Sequence, residues 1–325
     1  MSSIITNEAA MAALSTLRSI SADMNVTQNR MTTGAKVDKA ADNAAYWSIA
    51  TTMKSDDKAL SAVQDALNLG SAVTNVAYSG LDSAIKVTDE IKKKLVAASQ
   101  TGIDKDKVNM EITRLKDQLR SVVDSSSFNG INWLKFGDSS ATTAKVAAAY
   151  YRDLQNGVFL STLEVPIYSG SAGGRVSSLV DVRTTATSGD AGILTSFQFA
   201  KNVSAGANYV LVLNDSNRSA GTEISIDRNT SNKQLSDMIS VVDGMLQMMT
   251  DAGANFGSLQ ASVNLQADFT AKLRDWIHEG VSRLIDADMN EEATRLKALT
   301  TQQQLTIQAL SIANSKPQAI LQLFN

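Results

Sequence analysis

From Ile49 the apolar residues step by four and three through Met53, Leu60, Val63, Leu67, Ala77, Leu81, Ala84, Ile91, Leu95 and Ala98, with Asp56, Gly70, Thr74 and Thr88 as exceptions in the same phase. A period near 3.5 residues held over about seven heptads predicts a coiled-coil helix. Gly102 supplies a stop, and the charged turn IDKDK leads into a second, shorter helix on which Val108, Ile112, Leu115, Leu119 and Val122 keep the spacing. The C-terminal third repeats the pattern through Leu235, Ile239, Val242, Leu246, Met249, Phe256, Val263, Ala267, Ile277, Val281 and Leu284, a third long helix. The only prolines are Pro166 and Pro317, so nothing obliges a break in the first half.

The middle reads differently. VFLSTLEVPIYSG, ANYVLVLND and GTEISIDRNT are short apolar or alternating runs bounded by Gly, Asn, Asp and Ser, which is strand chemistry. Residues 141–231 are therefore predicted as a mostly β insertion between helical arms. The expected fold is mainly α, a long antiparallel coiled-coil bundle made by the N- and C-terminal arms, with that smaller β-rich insertion.

The two ends carry the functional signal. Ala10, Leu14, Leu17, Met24 and Met31 make one stripe near the N-terminus. Near the C-terminus Leu296, Leu299 and Leu310 make a stripe, and Ala298, Leu305, Ala309 and Ile312 make another. One partner helix covers one stripe, so the second needs a further neighbour, either another chain or the interior of a single folded chain. The candidate assembly residues are accordingly Leu14, Leu17, Met24, Met31, Leu296, Leu299, Leu305, Ala309, Leu310 and Ile312.

Composition narrows the classes. Thirty Lys and Arg against 33 Asp and Glu give a net charge of -3, which offers no footprint for nucleic acid. Aromatics are 5% of residues, which suits long helices and thin interfaces. Without cysteine there is no disulfide framework, thiolate nucleophile or thiolate metal site. The start, MSSIITNEAAMAALSTLRSI, lacks the charged and apolar regions of a secretory signal, and no stretch reaches the roughly 20 apolar residues of a membrane span.

Candidate chemistry is thin. His278 is the single histidine, and HEGVS has Ser282 where a zincin needs its second imidazole, so a half-exposed histidine on a core helix is favoured. Asp286 and Asp288 sit two apart and would not face each other on a helix, which favours a turn or cap. SGSAGG at 169–174 lacks the lysine and spacing of a phosphate loop. Lys92, Lys93 and Lys94 follow Asp89 and Glu90, a solvated face rather than a polyanion site. No catalytic residue, metal site or cofactor is expected.

RMTTGAKVDKAADNAAYWSIA at 30–50 resembles the N-terminal signature of bacterial flagellins: Arg, a hydrophobe, two small hydroxyl residues, Gly, a basic position and a D-x-A-A core running into Ile-Ala. Tyr46 and Trp47 stand where that family has Gly and an aliphatic residue, which implies different packing of the turn. FNGINWL at 128–134 is similar to the family's turn after the second core helix. SRLIDADMNEEATRL and ANSKPQAILQLF resemble its C-terminus. The match is to a short, alphaproteobacterial-like form. It implies terminal polymerisation helices at 1–41 and 286–325, a coiled-coil core at 42–140 and 232–285, and a variable domain at 141–231. It also implies a homopolymeric, extracellular flagellar filament that drives swimming. Further partners would be an export chaperone at the C-terminal segment, the type III flagellar export apparatus, and filament cap and junction proteins. A hook-filament junction protein of the same superfamily is the alternative, and an unrelated coiled-coil tether the third class.

Overall fold

The computed structural model describes residues 7–137, 141–153, 157–167, 176–183, 192–196, 204, 208–213 and 221–323, with backbone alone from 316. Five helices carry the chain: α1 (Glu8–Thr33), α2 (Ala44–Ala98), α3 (Lys105–Ser125), α4 (Asn232–Ile285) and α5 (Met289–Leu323). Among the described residues six strands lie between α3 and α4: β1 (Lys135–Phe136), β2 (Thr143–Asp153), β3 (Gly157–Pro166), β4 (Val180–Asp181), β5 (Tyr209–Val210) and β6 (Thr222–Glu223). The chain divides into two compact units, Ala59–Lys272 and the pair Met1–Lys58 with Leu273–Asn325.

In the unit Ala59–Lys272 the heptad positions form the core. Leu60, Val63, Leu67, Ala77, Leu81, Ala84, Ile91, Leu95 and Ala98 of α2 are buried, as are Ile112 and Leu119 of α3 and Leu235, Val242, Met249, Phe256 and Val263 of α4. One of the in-phase exceptions, Gly70, is explained by close approach, and Gly80 permits another. A Cβ on Gly70 would stand 2.2 Å from Val146 Cγ1, and one on Gly80 would stand 2.0 Å from Ser126 Oγ, so only glycine lets those segments reach α2. Thr74 turns its hydroxyl back to the Gly70 carbonyl at 2.7 Å, which lets a polar residue occupy a core position.

The strand-rich segment shares this core. Ala144, Val146, Val165, Ile167, Leu179, Leu194, Leu211 and Ile224 belong to the same buried cluster as the helices. β2 and β3 form an antiparallel hairpin, Thr143 opposite Pro166 and Asp153 opposite Gly157, with a bulge between Ala147 and Ala149. Only its base is packed; Gly157–Thr162 are exposed. The other pairs, β1 with β4 and β5 with β6, are parallel and two residues long. Of the three predicted runs, VFLSTLEVP is strand as expected, while the other two contribute only Tyr209–Val210 and Thr222–Glu223. The Ala-rich β2 was not singled out by its pattern. SGSAGG lies outside the described residues.

The other unit is thinner. Val37, Ala50, Val281 and Ile285 are its buried apolar cluster, with Met53, Ile277 and Leu284 against it. The α2 seam here runs through Ala50, and Ile49 is exposed, one residue off the predicted phase. Its inward carboxylate is Asp57, which accepts from Arg274 Nε at 3.0 Å. Gly34 ends α1 at φ 71°, and its N–H donates to the Arg30 carbonyl at 2.8 Å, a left-handed cap that glycine adopts without strain. From that turn Lys36 N–H donates to Ile285 O at 2.7 Å and Ala287 N–H to Gly34 O at 2.9 Å, tying the two chain ends together.

Candidate assembly surface

α1 and α5 pair along one face in opposite directions. Asn7 Nδ2 donates to the Ala313 carbonyl at 2.8 Å at one end, and Arg30 Nη1 meets Glu292 Oε1 at 3.1 Å at the other. Asn7 also caps α1, accepting the Ala10 N–H at 3.1 Å. Asp288 starts α5 by accepting the Asn290 and Glu291 N–H groups, so the D-A-D segment is a helix cap.

The seam follows a heptad on each helix. On α1 it runs through Ala10, Ala13, Leu17, Ile20, Met24, Thr27 and Met31; on α5 through Glu292, Leu296, Leu299, Gln303, Thr306, Leu310 and Ala313, all buried or half-buried. Leu17, Met24, Met31, Leu296, Leu299 and Leu310, expected at an interface, therefore lie on the face that α1 and α5 turn towards each other within the chain. Leu14 does not; it is exposed, and Ala13 takes the inward position. Steps of four or three from Ala10 both suit a helix, and the larger side chain drew the sequence reading outwards.

Leu305, Ala309 and Ile312 form the second face. At about 100° per residue they lie roughly 120° round the helix from the seam. In the single chain this face is open: Leu305 is 59% exposed and Ile312 61%, while Ile307, 52% exposed, lies on the opposite flank of the helix. The helix is thus not buried all round within one chain. Met11, Leu14 and Val26 are the exposed apolar residues of α1.

The seam contains polar members that the sequence reading did not weigh. Thr27 is 2% exposed and Glu292 5%. Arg30 and Glu292 are the signal it could have used: opposite charges on two helices, Glu292 in the seam and Arg30 at its edge beside Met31, fix register. Chemistry elsewhere is structural. His278 is exposed, with Nε2 3.4 Å from Asp57. Lys92 pairs with Asp243, Lys93 with Asp89, and Lys94 with Glu111. The Asp89 and Glu111 carboxylates hydrogen-bonded to Lys93 and Lys94 raise those amines above the ordinary lysine value. Among the described residues no group of His, Asp and Glu is arranged to hold a metal, and no helix is long and apolar enough to cross a membrane.

Paired terminal helices with an uncovered apolar face, a long helical core and a β-rich middle define the class of mainly α proteins whose two chain ends are helical and pair with each other. Residues 4–137 match the family described as the bacterial flagellin N-terminal helical region, and 239–324 match the bacterial flagellin C-terminal helical region. The chain is 48% identical to flagellin C of Rhizobium meliloti (strain 1021) over 100% of its own length and 99% of that protein's. It is 42% identical to flagellin A of Rhizobium meliloti over the whole of both chains, and 37% identical to the flagellin of Brucella melitensis biotype 1 over 100% of this chain and 99% of the other. The chain belongs to the bacterial flagellin family, whose members are flagellar filament subunits.

Proposed function

We propose that this chain polymerises through its terminal helices into the flagellar filament and that the filament serves swimming motility. The observation that carries the proposal is the open face of α5, Leu305, Ala309 and Ile312, on a helix whose other face is already covered by α1. Leu305 and Ile312 each gain roughly 1.5–3 kcal/mol on full burial, and head-to-tail contacts that do not close build helical polymers. In this reading residues 1–41 and 286–325 form the inner layer of the filament, 42–140 and 232–285 its coiled-coil layer, and 141–231 the outward, variable part. Leu14, with Leu305, Ala309 and Ile312, contacts neighbouring subunits, while Leu17, Met24, Met31, Leu296, Leu299 and Leu310 hold α1 to α5.

The same open face is a liability before assembly, which gives an export chaperone a surface to cover at the C-terminal segment. Secretion through the type III flagellar apparatus, an extracellular destination, and contacts with cap and junction proteins complete the proposal, which assigns the chain no enzymatic role.

Leu305→Asp tests it. The charge enters a face that is open among the described residues, so far-UV circular dichroism of the monomer stays that of the wild type while sedimentation under polymerising conditions shows loss of filaments. Normal filaments from the variant would overturn the assignment of this face.

A further inference from the structure

In the unit Ala59–Lys272 a pocket of about 390 Å³ lies where α3, the β5–β6 pair and the start of α4 come together. Asn109 of α3, Tyr209 of β5, Glu223 of β6 and Gln234 of α4 line it, with Ser225 and Asp227 from the segment that follows β6. Strand periodicity brings the last residues there. Ile224 and Ile226 are buried, so Glu223, Ser225 and Asp227, which alternate with them, turn towards the pocket. Tyr209 precedes the buried Val210 in the same way and is itself half-buried, leaving part of its ring open to the cavity.

The hydrogen bonds already made decide what each lining group still offers. Asn109 Oδ1 accepts the Ile226 N–H at 3.0 Å, and Gln234 Oε1 accepts the Ser231 N–H at 2.8 Å and its hydroxyl at 3.0 Å. Both amide oxygens are engaged, so the amide nitrogens remain to donate, and neither has a partner among the described residues. The carboxylates supply acceptors. Glu223 is held through Oε1, 2.9 Å from the Nζ of buried Lys116, and Asp227 through Oδ1, which accepts the Thr230 hydroxyl at 2.7 Å and the Asn229 N–H at 2.9 Å. Each keeps its second oxygen. An anion would meet both carboxylates, and an apolar molecule would strip water from these groups without replacing its hydrogen bonds. A cation is disfavoured by Lys116 and by Lys105, whose Nζ donates to the Thr230 carbonyl at 2.6 Å. A ring hydroxyl both accepts and donates, and the apolar C–H face of a pyranose suits the Tyr209 ring. The volume falls near the lower end of the roughly 300–1,000 Å³ of small-molecule sites.

We propose that this pocket binds a neutral hexose unit, with Asn109 and Gln234 donating to its hydroxyls, Glu223 and Asp227 accepting from them, and Tyr209 covering one ring face. The same chemistry fits a free sugar and the terminal unit of a glycan. The inference does not use the polymeric reading and is tested on the full-length chain as a monomer. Glucose, galactose and mannose, and the methyl glycoside of each, are titrated in while heteronuclear NMR follows the backbone amides. At least one hexose should give saturable shifts at Asn109, Tyr209, Ser225 and Gln234. Binding of its methyl glycoside as well identifies a glycan terminus as an acceptable occupant, and loss of binding on methylation identifies the free sugar. Glucuronate, which brings a third carboxylate, should bind several-fold more weakly than glucose. Asn109→Asp keeps the oxygen that takes the Ile226 N–H, and Gln234→Glu keeps the oxygen that Ser231 donates to, so each removes a donor without removing a structural contact. Each variant should melt as the wild type does and bind the hexose several-fold more weakly. No saturable shift with any of these sugars, glucuronate bound as tightly as glucose, or unchanged affinity in both variants would overturn the proposal.

Discussion

The two units of this chain are built from the same heptad grammar and end with different surfaces. In Ala59–Lys272 the apolar seams of α2, α3 and α4 meet one another and the base of the β2–β3 hairpin in one continuous buried cluster. In the unit of the chain ends, α1 and α5 meet along a seam containing Thr27, Glu292, Gln303 and Thr306 with Arg30 at its edge, and Leu305, Ile307, Ile312, Tyr46, Trp47 and Trp276 stay exposed. Ordering a residue costs roughly 1–2 kcal/mol of backbone entropy, and half-covered, partly polar seams offset little of it. The difference teaches where each unit finds its stability: one in a continuous core, the other in a narrow, partly polar seam that leaves large apolar side chains open.

The largest expected effect tests the first half of that contrast. Phe256 is fully buried and stacks on Trp133 at 6.1 Å and 7°. Phe256→Ala should cost about 3–5 kcal/mol through lost transfer energy and the cavity left behind. Thermal unfolding of the monomer, followed by circular dichroism, should shift to markedly lower temperature. A shift of a degree or less would mean that this cluster is not what holds the larger unit together.

A smaller effect belongs to the terminal unit. The side chain of Glu292 is 7% exposed and that of its partner Arg30 32%. Its second oxygen, Oε2, is buried with no hydrogen-bond partner among the described residues. Arg30→Ala leaves the carboxylate buried and unpaired, at a cost of about 2 kcal/mol once the partial exposure of the arginine is discounted. The loss should be local. Hydrogen exchange should accelerate in α1 and α5 and trypsin should cut sooner at Arg18, Arg295 and Lys297, with the main thermal transition unmoved. Equal acceleration in α3 would show that the two units open together.

The helical part of this architecture was legible because a repeat near 3.5 residues constrains every position it touches. The predicted apolar positions of α2 from Leu60 to Ala98 are all buried, with Val73 and Val87 buried beside them. The open face of α5 was legible too, since Leu305 and Ile312 fall out of phase with Leu296 and Leu310. What the pattern hid depends on contacts distant in sequence. TAKVAAAYYRD has the small residues of a helix, yet its partner VFLSTLEVP makes it a strand, and Val146 occupies space that Gly70 leaves free. Leu14 falls outside the α1/α5 seam, where Ala13 takes the inward place. Arg30 and Glu292, 262 positions apart, become a pair only once α1 and α5 are laid side by side.

The smallest effect uses one device that both units share. Asp42 Oδ2 accepts the N–H groups of Lys39 at 2.9 Å and Asp38 at 3.0 Å before α2 begins. These two backbone donors, Lys39 the stronger, hold its carboxyl below the ordinary value of 3.8. In the larger unit Asp227 is lowered in the same way, first by the Thr230 hydroxyl at 2.7 Å and also by the Asn229 and Thr230 N–H groups. A depressed carboxyl favours the folded turn at any pH above its unfolded pKa and loses that contribution as pH falls through the lower folded value. Between pH 7 and pH 5 neither turn should change. Below about pH 4 the amides of Asp38 and Lys39, and those of Asn229 and Thr230, should shift in NMR spectra as their acceptors protonate. Asp42→Ala should remove the titration at 38 and 39 and leave that at 229 and 230 intact. If the turns respond alike while α1 and α5 still exchange faster than α3, the contrast between the units lies in their cores and not in their turns. A Lys39 amide that titrates unchanged in Asp42→Ala would mean another group accepts it.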